Sequence, residues 1–215
     1  EMSKRLKQLE EMNLDANPLT RLPGGLAIEN FLQKELDAGT PLAFCLIDLD
    51  NFKAFSDRYG YAKGSEVIKA AAKLIDEAVA LRGTKEDFVG HIGGDDFVVI
   101  CSPERFEDIC NAIIESFDKT IPDFYDTEDR ERGYIQGKTR QGEEIDFPIM
   151  TISIAVVISR DQKFTSTIEV GEVAAELKEH AKSVRGSNYV TDKRKEVFHE
   201  VRHKEKNDKQ DRRKA

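Results

Sequence analysis

The chain of 215 residues carries 33 Lys and Arg against 41 Asp and Glu, a formal net charge of −8, and 39% of its residues are apolar. This length suits one domain of ordinary size with polar extensions. Residues 193–215 hold ten basic and five acidic side chains, a net +5 that leaves −13 for residues 1–192. An acidic body argues against a nucleic-acid-binding core, and no stretch approaches the roughly 18 apolar residues of a membrane span. We therefore expect no contact with a nucleic acid polymer or with a membrane.

Cysteine usage and the first residue indicate the cellular setting. Cys45, Cys101 and Cys110 lie among apolar residues. They are too few for a disulfide framework, so we expect core residues in a reducing cytoplasm. Because the chain begins with Glu1 rather than Met, we expect it to be the cytoplasmic part of a larger signalling protein with a sensory domain upstream.

The first predicted element is a helix over residues 1–14, where Met2, Leu6 and Leu9 recur at helical spacing among strong helix formers. It is either the end of a coiled-coil linker or a solvated helix packed on its own domain. Fewer than two heptads cannot distinguish these alternatives.

Hydrophobic periodicity then alternates between helices and strands. Further helices are expected at residues 26–36, directly after Asn51, and at 64–81, 103–121 and 170–184. Strands are expected at residues 41–47, 87–92, 97–101, 150–158 and 188–191, with a small hairpin near 133–147 in the polar segment 122–148. This order predicts an α+β fold in which helices pack on a mostly antiparallel sheet. The polar segment is expected to be a solvent-exposed hairpin, or alternatively a surface for a regulatory partner.

Three aspartates are expected to meet at one edge of this sheet. Asp48 follows the first buried strand, and Asp95 and Asp96 lie in the Gly-Gly turn of the next two strands. Clustered carboxylates without His or Cys suit Mg²⁺ or Mn²⁺, and the helix start after Asp50 can hold phosphate through its free N–H groups. These features favour metal-dependent phosphoryl or nucleotidyl transfer, although an acidic hairpin turn can also be merely solvated.

Four motifs, in this order along the chain, resemble those of the GGDEF family of diguanylate cyclases. They are NPLTRLP at 17–23, IDLDNFK at 47–53, YGYAKG at 59–64 and GGDDF at 93–97. The resemblance implies a nucleotide-cyclase or palm-like fold. Two such domains would each hold one GTP and join the nucleotides into cyclic di-GMP with release of pyrophosphate. The implied organisation is a helical linker at 1–14, a cyclase domain at 15–192 and a charged tail at 193–215.

The resemblance also assigns roles to the acidic residues. Asp48, the Leu49 carbonyl, Asp95 and Asp96 would hold two metal ions, Mg²⁺ or Mn²⁺, in each active site. Asp95 and Asp96 are implied to be catalytic, and Asp95 would help to deprotonate the attacking 3′-hydroxyl. Asp96 stands where the family usually has Glu and is one methylene shorter.

Residues on two predicted helices would contact the nucleotide phosphates. The loop and helix start at Asn51, Phe52 and Lys53 would bind phosphate. Lys182 matches the triphosphate lysine of the family and is implied to be catalytic. Arg185 would be a further nucleotide contact, although it stands one place outside the usual spacing.

The positions that bind the base depart from the family. Ser56 and Ser65 replace the Asn and the Asp with which the family recognises guanine. A hydroxyl donates or accepts a hydrogen bond and can serve either purine, so ATP is expected to be a substrate beside GTP. The family's inhibitory RxxD motif is TKED at 84–87 here, so product inhibition through that site is not expected.

Two other interpretations remain open at the level of sequence. The departures at Ser56, Ser65, Asp96 and Arg185 also fit a degenerate domain that binds a nucleotide or a protein partner without turnover. The tail contains an HExxH match at residues 199–203, a zinc-protease pattern without an apolar pocket or a third ligand around it. The tail is more simply a solvated extension.

Overall fold

The computed structural model describes residues 15–138, 144–160 and 164–192. The predicted helix at 1–14, the tail at 193–215 and its HExxH match therefore lie outside the described residues. Among the described helices, none combines the length and the apolar character needed to cross a bilayer.

The elements occur close to the positions predicted from the sequence. The helices are α1 (Gly25–Ala38), α2 (Phe52–Tyr59), α3 (Tyr61–Arg82), α4 (Phe106–Thr120), α5 (Thr127–Arg132) and α6 (Thr167–Ser183), with a 3₁₀ turn at Ile121–Phe124. The strands are β1 (Ala43–Asp50), β2 (Phe88–Gly93), β3 (Asp96–Cys101), β4 (Tyr134–Lys138), β5 (Glu144–Pro148), β6 (Thr151–Ile158) and β7 (Asn188–Thr191).

Five strands form one sheet in the order β2-β3-β1-β6-β7, and β4 and β5 form a separate hairpin. The pairs β2–β3, β3–β1 and β1–β6 are antiparallel, whereas β7 runs parallel to β6. The α+β fold with a mostly antiparallel sheet is therefore confirmed. Strand β1 lies at the centre, so a side chain near its end has neighbours on both sides.

Helices cover both faces of this sheet. Cys45, Ile47 and Leu49 of β1 join a core cluster with α3 and α4, while Phe44 and Leu46 join a second cluster with α1 and α6. Because side chains alternate along a strand, Asp48 and Asp50 share the face that carries α6. All three cysteines are buried, as the sequence predicts.

The first strand is longer than predicted, because it continues through the acidic residues instead of ending at Ile47. Leu49 is only 1% exposed, so its burial favours continuation of the strand. The Oδ2 atom of Asp50 accepts hydrogen bonds from the hydroxyls of Thr151 and Ser153 on β6, at 2.8 and 2.7 Å. Burial raises the pKa of Asp50, while these two bonds act in the opposite direction. Two neighbouring hydroxyls thus make an acidic residue acceptable within the strand.

The polar segment at 122–148 is less solvated than expected, because part of it packs on the domain. Helix α5 is not predicted from the sequence, and its Asp129 is 2% exposed. Tyr59 donates to Asp129 Oδ2 at 2.5 Å, and Arg132 forms an ion pair with the same carboxylate. Burial, followed by the bond to Asp129, raises the pKa of Tyr59 to about 12. Strand β5 is mostly exposed, as a solvent hairpin would be.

Replacing Asp129 with alanine should destabilise the domain by about 2–3 kcal/mol. The substitution leaves the Tyr59 hydroxyl and the Arg132 guanidinium without their buried acceptor, which is the costly way to break such a pair. Urea unfolding followed by circular dichroism measures the change. The matched control is Asp123→Ala, whose exposed carboxylate pairs with Arg130 at 2.9 Å and should contribute less than about 1 kcal/mol. Equal losses in the two variants would contradict a special role for Asp129.

Candidate active site

Two aspartates face each other across neighbouring strands of the sheet. Asp48 of β1 is the register partner of Asp96 of β3 on one side and of Ser153 of β6 on the other. Asp48 is 3% exposed, whereas Asp96 is half-buried. Two carboxylates in this arrangement need a positive charge beside them, because burial disfavours an isolated charge.

Helix α6 supplies that charge through two lysines one turn apart. Lys178 Nζ lies 2.8 Å from Asp96 Oδ1 and 3.3 Å from Asp48 Oδ2. Lys182 Nζ lies 2.6 Å from Asp48 Oδ1. Burial acts to lower the pKa of Lys178, but the carboxylates of Asp96 and Asp48 outweigh it and raise that pKa. The Lys178 ammonium is therefore charged at neutral pH.

The signature turn places Asp95 next to this pair. Gly94 adopts a left-handed conformation with φ +60°, which glycine tolerates without steric cost. Burial, followed by repulsion from Asp48, raises the pKa of the half-buried Asp95 carboxyl. The environment thus favours a proton on Asp95 more than water does.

His91 contacts the same turn through the backbone carbonyl of Gly94. It is 2% exposed and stacks on Phe97, with ring centroids 4.3 Å apart. Burial lowers the pKa of His91, so the ring is neutral and only one nitrogen donates. The Gly94 carbonyl can only accept, so Nε2 donates to it at 3.1 Å, and Nδ1 accepts from the Thr20 hydroxyl at 2.9 Å. His91 thereby connects the NPLTRLP segment to the signature turn.

The acidic residues suit a divalent cation whose coordination is completed by ligands from the substrate and water. Among the residues described, no three His, Cys, Asp or Glu side chains are grouped closely enough to hold a metal by themselves. The buried Asp48 Oδ1 atom receives no hydrogen bond of acceptable geometry, although Lys182 approaches it as an ion pair. Mg²⁺ typically uses one or two carboxylates together with substrate phosphates and water. Asp48, the Leu49 carbonyl and Asp95 fit that pattern.

A helix start lies directly beyond β1. Asn51 links β1 to α2 in a left-handed conformation with φ +63°, and its side chain does not cap the helix. The first N–H groups of a helix have no partner within it and attract anions. Lys53 is exposed on this first turn, where it pairs with Asp57 at 2.7 Å. Arg185 is exposed and follows the end of α6 by two residues.

The two serines that depart from the expected base-binding residues lie near one another on α2 and α3. A Cβ atom added to the buried Gly64 would lie 2.4 Å from Ser56 Oγ and 3.5 Å from Phe52 Cζ. Gly64 therefore allows the two helices to approach at this point. Ser65 is the next residue along α3 and is half-buried. Ser56, Ser65 and Phe52 thus belong to one small region at the α2–α3 junction.

A family comparison agrees with this arrangement. The model of the family described as "Diguanylate cyclase, GGDEF domain" matches residues 14–136, more than half of the chain. The chain belongs to the GGDEF family.

Curated relatives of this GGDEF domain carry diguanylate cyclase names. A diguanylate cyclase of Vibrio cholerae is 37% identical over 67 residues, which are 31% of this chain and 20% of that protein. The diguanylate cyclase DgcP of Pseudomonas aeruginosa is 32% identical over 95 residues, which are 42% of this chain and 14% of that protein. The chain thus spans a fifth or less of the length of these two relatives.

Solved structures share the fold of this GGDEF domain. The GGDEF domain of DgcB from Caulobacter crescentus, in complex with c-di-GMP, gives a TM-score of 0.59 at 20% identity over 82% of this chain and 95% of that one. The diguanylate cyclase SiaD from Pseudomonas aeruginosa, in complex with its activator SiaC, gives 0.64 at 19% identity over 88% of this chain and 66% of that one. At these identities the likeness establishes the fold.

The position of the inhibitory motif in this GGDEF domain has a local structural role. Asp87 Oδ2 accepts a hydrogen bond from the backbone N–H of Thr84 at 2.6 Å. This bond closes the turn between α3 and β2. The aspartate is therefore engaged within its own loop, and the arginine that would accompany it is absent at Thr84.

The structure brings most of the predicted site residues together and adds one. Asp48 and Asp96 pair across β1 and β3, and Asp95 lies in the adjoining turn. Lys182, for which the resemblance implies a phosphate contact, forms an ion pair with Asp48. Lys178 was not predicted, although it lies four residues before Lys182 on the same helix. That i, i+4 spacing places two lysines on one helix face and is the signal that could have identified it.

Proposed function

We propose that this GGDEF domain is a metal-dependent nucleotidyl cyclase that joins two purine nucleoside triphosphates into a cyclic dinucleotide such as cyclic di-GMP. The observation that carries this proposal is the cluster of Asp48 and Asp96 with Lys178 and Lys182 of α6, beside the start of α2. The lysine Nζ atoms lie 2.6 to 3.3 Å from the carboxylate oxygens. Diguanylate cyclase names among the relatives support the same reaction class.

The reaction consists of two equivalent transfers. In each, the 3′-oxygen of one nucleotide forms a bond to the α-phosphorus of the other, and the bond to the bridging oxygen breaks so that pyrophosphate leaves. Because one domain is proposed to hold one triphosphate, two copies must face each other, and the active species is a homodimer. Upstream domains of the full-length protein would control this pairing, in a cytoplasmic setting.

Particular side chains serve each part of the transfer. Asp95 accepts the proton of the 3′-hydroxyl, for which the environment that raises its pKa is suited. Lys182 and the N–H groups at Asn51, Phe52 and Lys53 hold the phosphates. Asp48, the Leu49 carbonyl and Asp95 would hold Mg²⁺ or Mn²⁺. Asp96 lies beside them and pairs with Lys178. The bound cation supplies neutralisation of the charge that develops on the phosphate oxygens.

The alternative is a degenerate domain that binds a nucleotide without turning it over. One observation favours it: Lys178 and Lys182 form ion pairs with Asp96 and Asp48, two of the carboxylates expected to bind the metal. A test that separates turnover from binding is therefore required.

The deciding experiment fuses the chain to a parallel leucine zipper, which supplies the dimer, and incubates it with GTP, ATP or both in Mg²⁺ or Mn²⁺. We expect cyclic dinucleotides by mass spectrometry, including a mixed guanine–adenine product when both nucleotides are present. Calorimetry with the same nucleotides measures binding. Nucleotide binding without any linear or cyclic dinucleotide would favour the degenerate domain and contradict the cyclase.

A further inference from the structure

The strongest feature outside the expected machinery is the position of Lys178. Its ammonium lies between two carboxylates that pair across β1 and β3, 2.8 Å from Asp96 and 3.3 Å from Asp48. A cation shared by two carboxylates is the arrangement in which a bridging metal ion would be found. Lys178 therefore takes up the room and the negative charge that one metal ion would use.

Burial of the surrounding side chains favours a stable position of the Lys178 ammonium between the two carboxylates. The Lys178 side chain is 20% exposed and the Asp48 side chain 5% exposed. Charges that are largely removed from water attract and repel more strongly than charges on the surface. The hydrogen bond from Lys178 Nζ to Asp96 Oδ1 also satisfies that oxygen. Moving the ammonium away would leave two buried or half-buried carboxylates opposite each other.

The second lysine differs in kind. Lys182 forms an ion pair with Asp48, whereas Lys178 pairs with both Asp48 and Asp96. The Lys182 side chain is 37% exposed. It can swing toward a phosphate group without leaving a carboxylate pair uncompensated. Lys178 is deeper and bridges both strands, so the two lysines have separate roles.

We propose that Lys178 is a built-in cation that replaces one divalent metal ion between Asp48 and Asp96, so that the site takes a single divalent cation instead of two. This inference rests on the proposed function for the nucleotide that shares the site. It differs from the sequence-based expectation of two metal ions per active site. Asp48 and Asp95 would hold the remaining ion, while Asp96 stays paired with Lys178.

The test is a titration of the full chain with Mn²⁺, followed by electron paramagnetic resonance of the free ion, in the presence of a GTP analogue with a methylene bridge between the α- and β-phosphates. We expect one tightly bound Mn²⁺ per protein–nucleotide complex. Lys178→Met, which keeps the length and removes the charge, should admit a second Mn²⁺ with an affinity at least about tenfold higher than in the unmodified chain. Lys178→Arg should retain the single ion.

The matched control is Lys63→Met, which removes a lysine that pairs with Asp126 on another part of the domain. It corrects for the change in net charge and should leave the metal count at one. Thermal unfolding with and without Mn²⁺ provides a second measurement, in which Lys178→Met should gain more stability from the ion than the unmodified chain does.

The outcomes of this titration test the role of Lys178 separately from the proposed cyclase activity. Two tightly bound ions in the unmodified chain, or an unchanged count in Lys178→Met, would overturn the inference, and so would absence of Mn²⁺ binding in both. Dinucleotide synthesis could still be found in the first two cases, whereas absence of Mn²⁺ binding in both proteins would also contradict a metal-dependent cyclase. Conversely, a second ion in Lys178→Met together with no product from the zipper-fused chain would support the inference and contradict the cyclase.

Discussion

Asp48→Asn in the zipper-fused chain is expected to lower dinucleotide synthesis by at least about 1,000-fold. The substitution keeps the shape of the side chain and removes the charge that both α6 lysines face, at 2.6 and 3.3 Å. Loss of an electrostatic group that stabilises a phosphoryl transition state has effects of this order. Product formation is measured by mass spectrometry, and Mn²⁺ binding by the same titration as above.

The control for this variant lies two residues along the same strand face. Asp50→Asn keeps an oxygen that can accept from Thr151 and Ser153, the partners of Asp50 Oδ2. We expect less than a tenfold loss of activity from it. Both variants should remain folded, because Lys178 keeps Asp96 as a partner and the Lys182 side chain is 37% exposed. Full activity in Asp48→Asn would refute the role assigned to Asp48.

The fold was largely predictable, because its signals are local. Strand β6 is rich in β-branched residues and its last five residues, 154–158, are all apolar, a pattern that indicates a buried strand. The predicted strand β1 is too short because two of its last three residues are acidic, which argues against a buried strand. The hydroxyls of Thr151 and Ser153 that accommodate Asp50 in the strand lie about 100 residues away in the sequence. Side chains on a distant strand decided this boundary.

The short helix α5 shows a similar limit. Its residues 127–132 are all polar or charged, and such a segment has no apolar stripe that would predict packing. The helix is held instead by the buried Asp129, whose partners include Tyr59, 70 residues earlier. A buried charged residue of this kind cannot be distinguished in the sequence from a solvated one.

The site was predictable as far as its motifs reach. Asp48, Asp95 and Asp96 belong to motifs of fixed order, and neighbouring strands bring them together, while Lys182 matches a single lysine of the family on helix α6. Lys178 lies in a helix whose exposed face is rich in charged residues, so it is typical of a solvated lysine. Its partners lie 82 and 130 residues earlier in the chain, at Asp96 and Asp48. Its spacing from Lys182 indicates a shared helix face, but its contacts depend on how α6 packs against the sheet, which only the tertiary structure provides.

The second large effect concerns the base. Ser65→Asp combined with Ser56→Asn is expected to raise the ratio of kcat/KM for GTP over ATP by about 10- to 100-fold. An aspartate accepts hydrogen bonds from both the N1–H and the N2 amine of guanine, whereas adenine offers neither donor in that arrangement, and buried groups left unpaired are costly. Pyrophosphate release with each nucleotide alone gives the two rates.

The geometry around Gly64 is what makes this double variant informative. Ser56 Oγ lies so near Gly64 that an added Cβ would be 2.4 Å away, so a change at Ser56 acts at the α2–α3 junction where Ser65 also lies. Ser65→Asn combined with Ser56→Asn is the matched control, because an amide oxygen has the size of a carboxylate oxygen but no charge. We expect it to recover only part of the preference for GTP. An unchanged ratio in the aspartate variant would mean that residues other than Ser56 and Ser65 recognise the base.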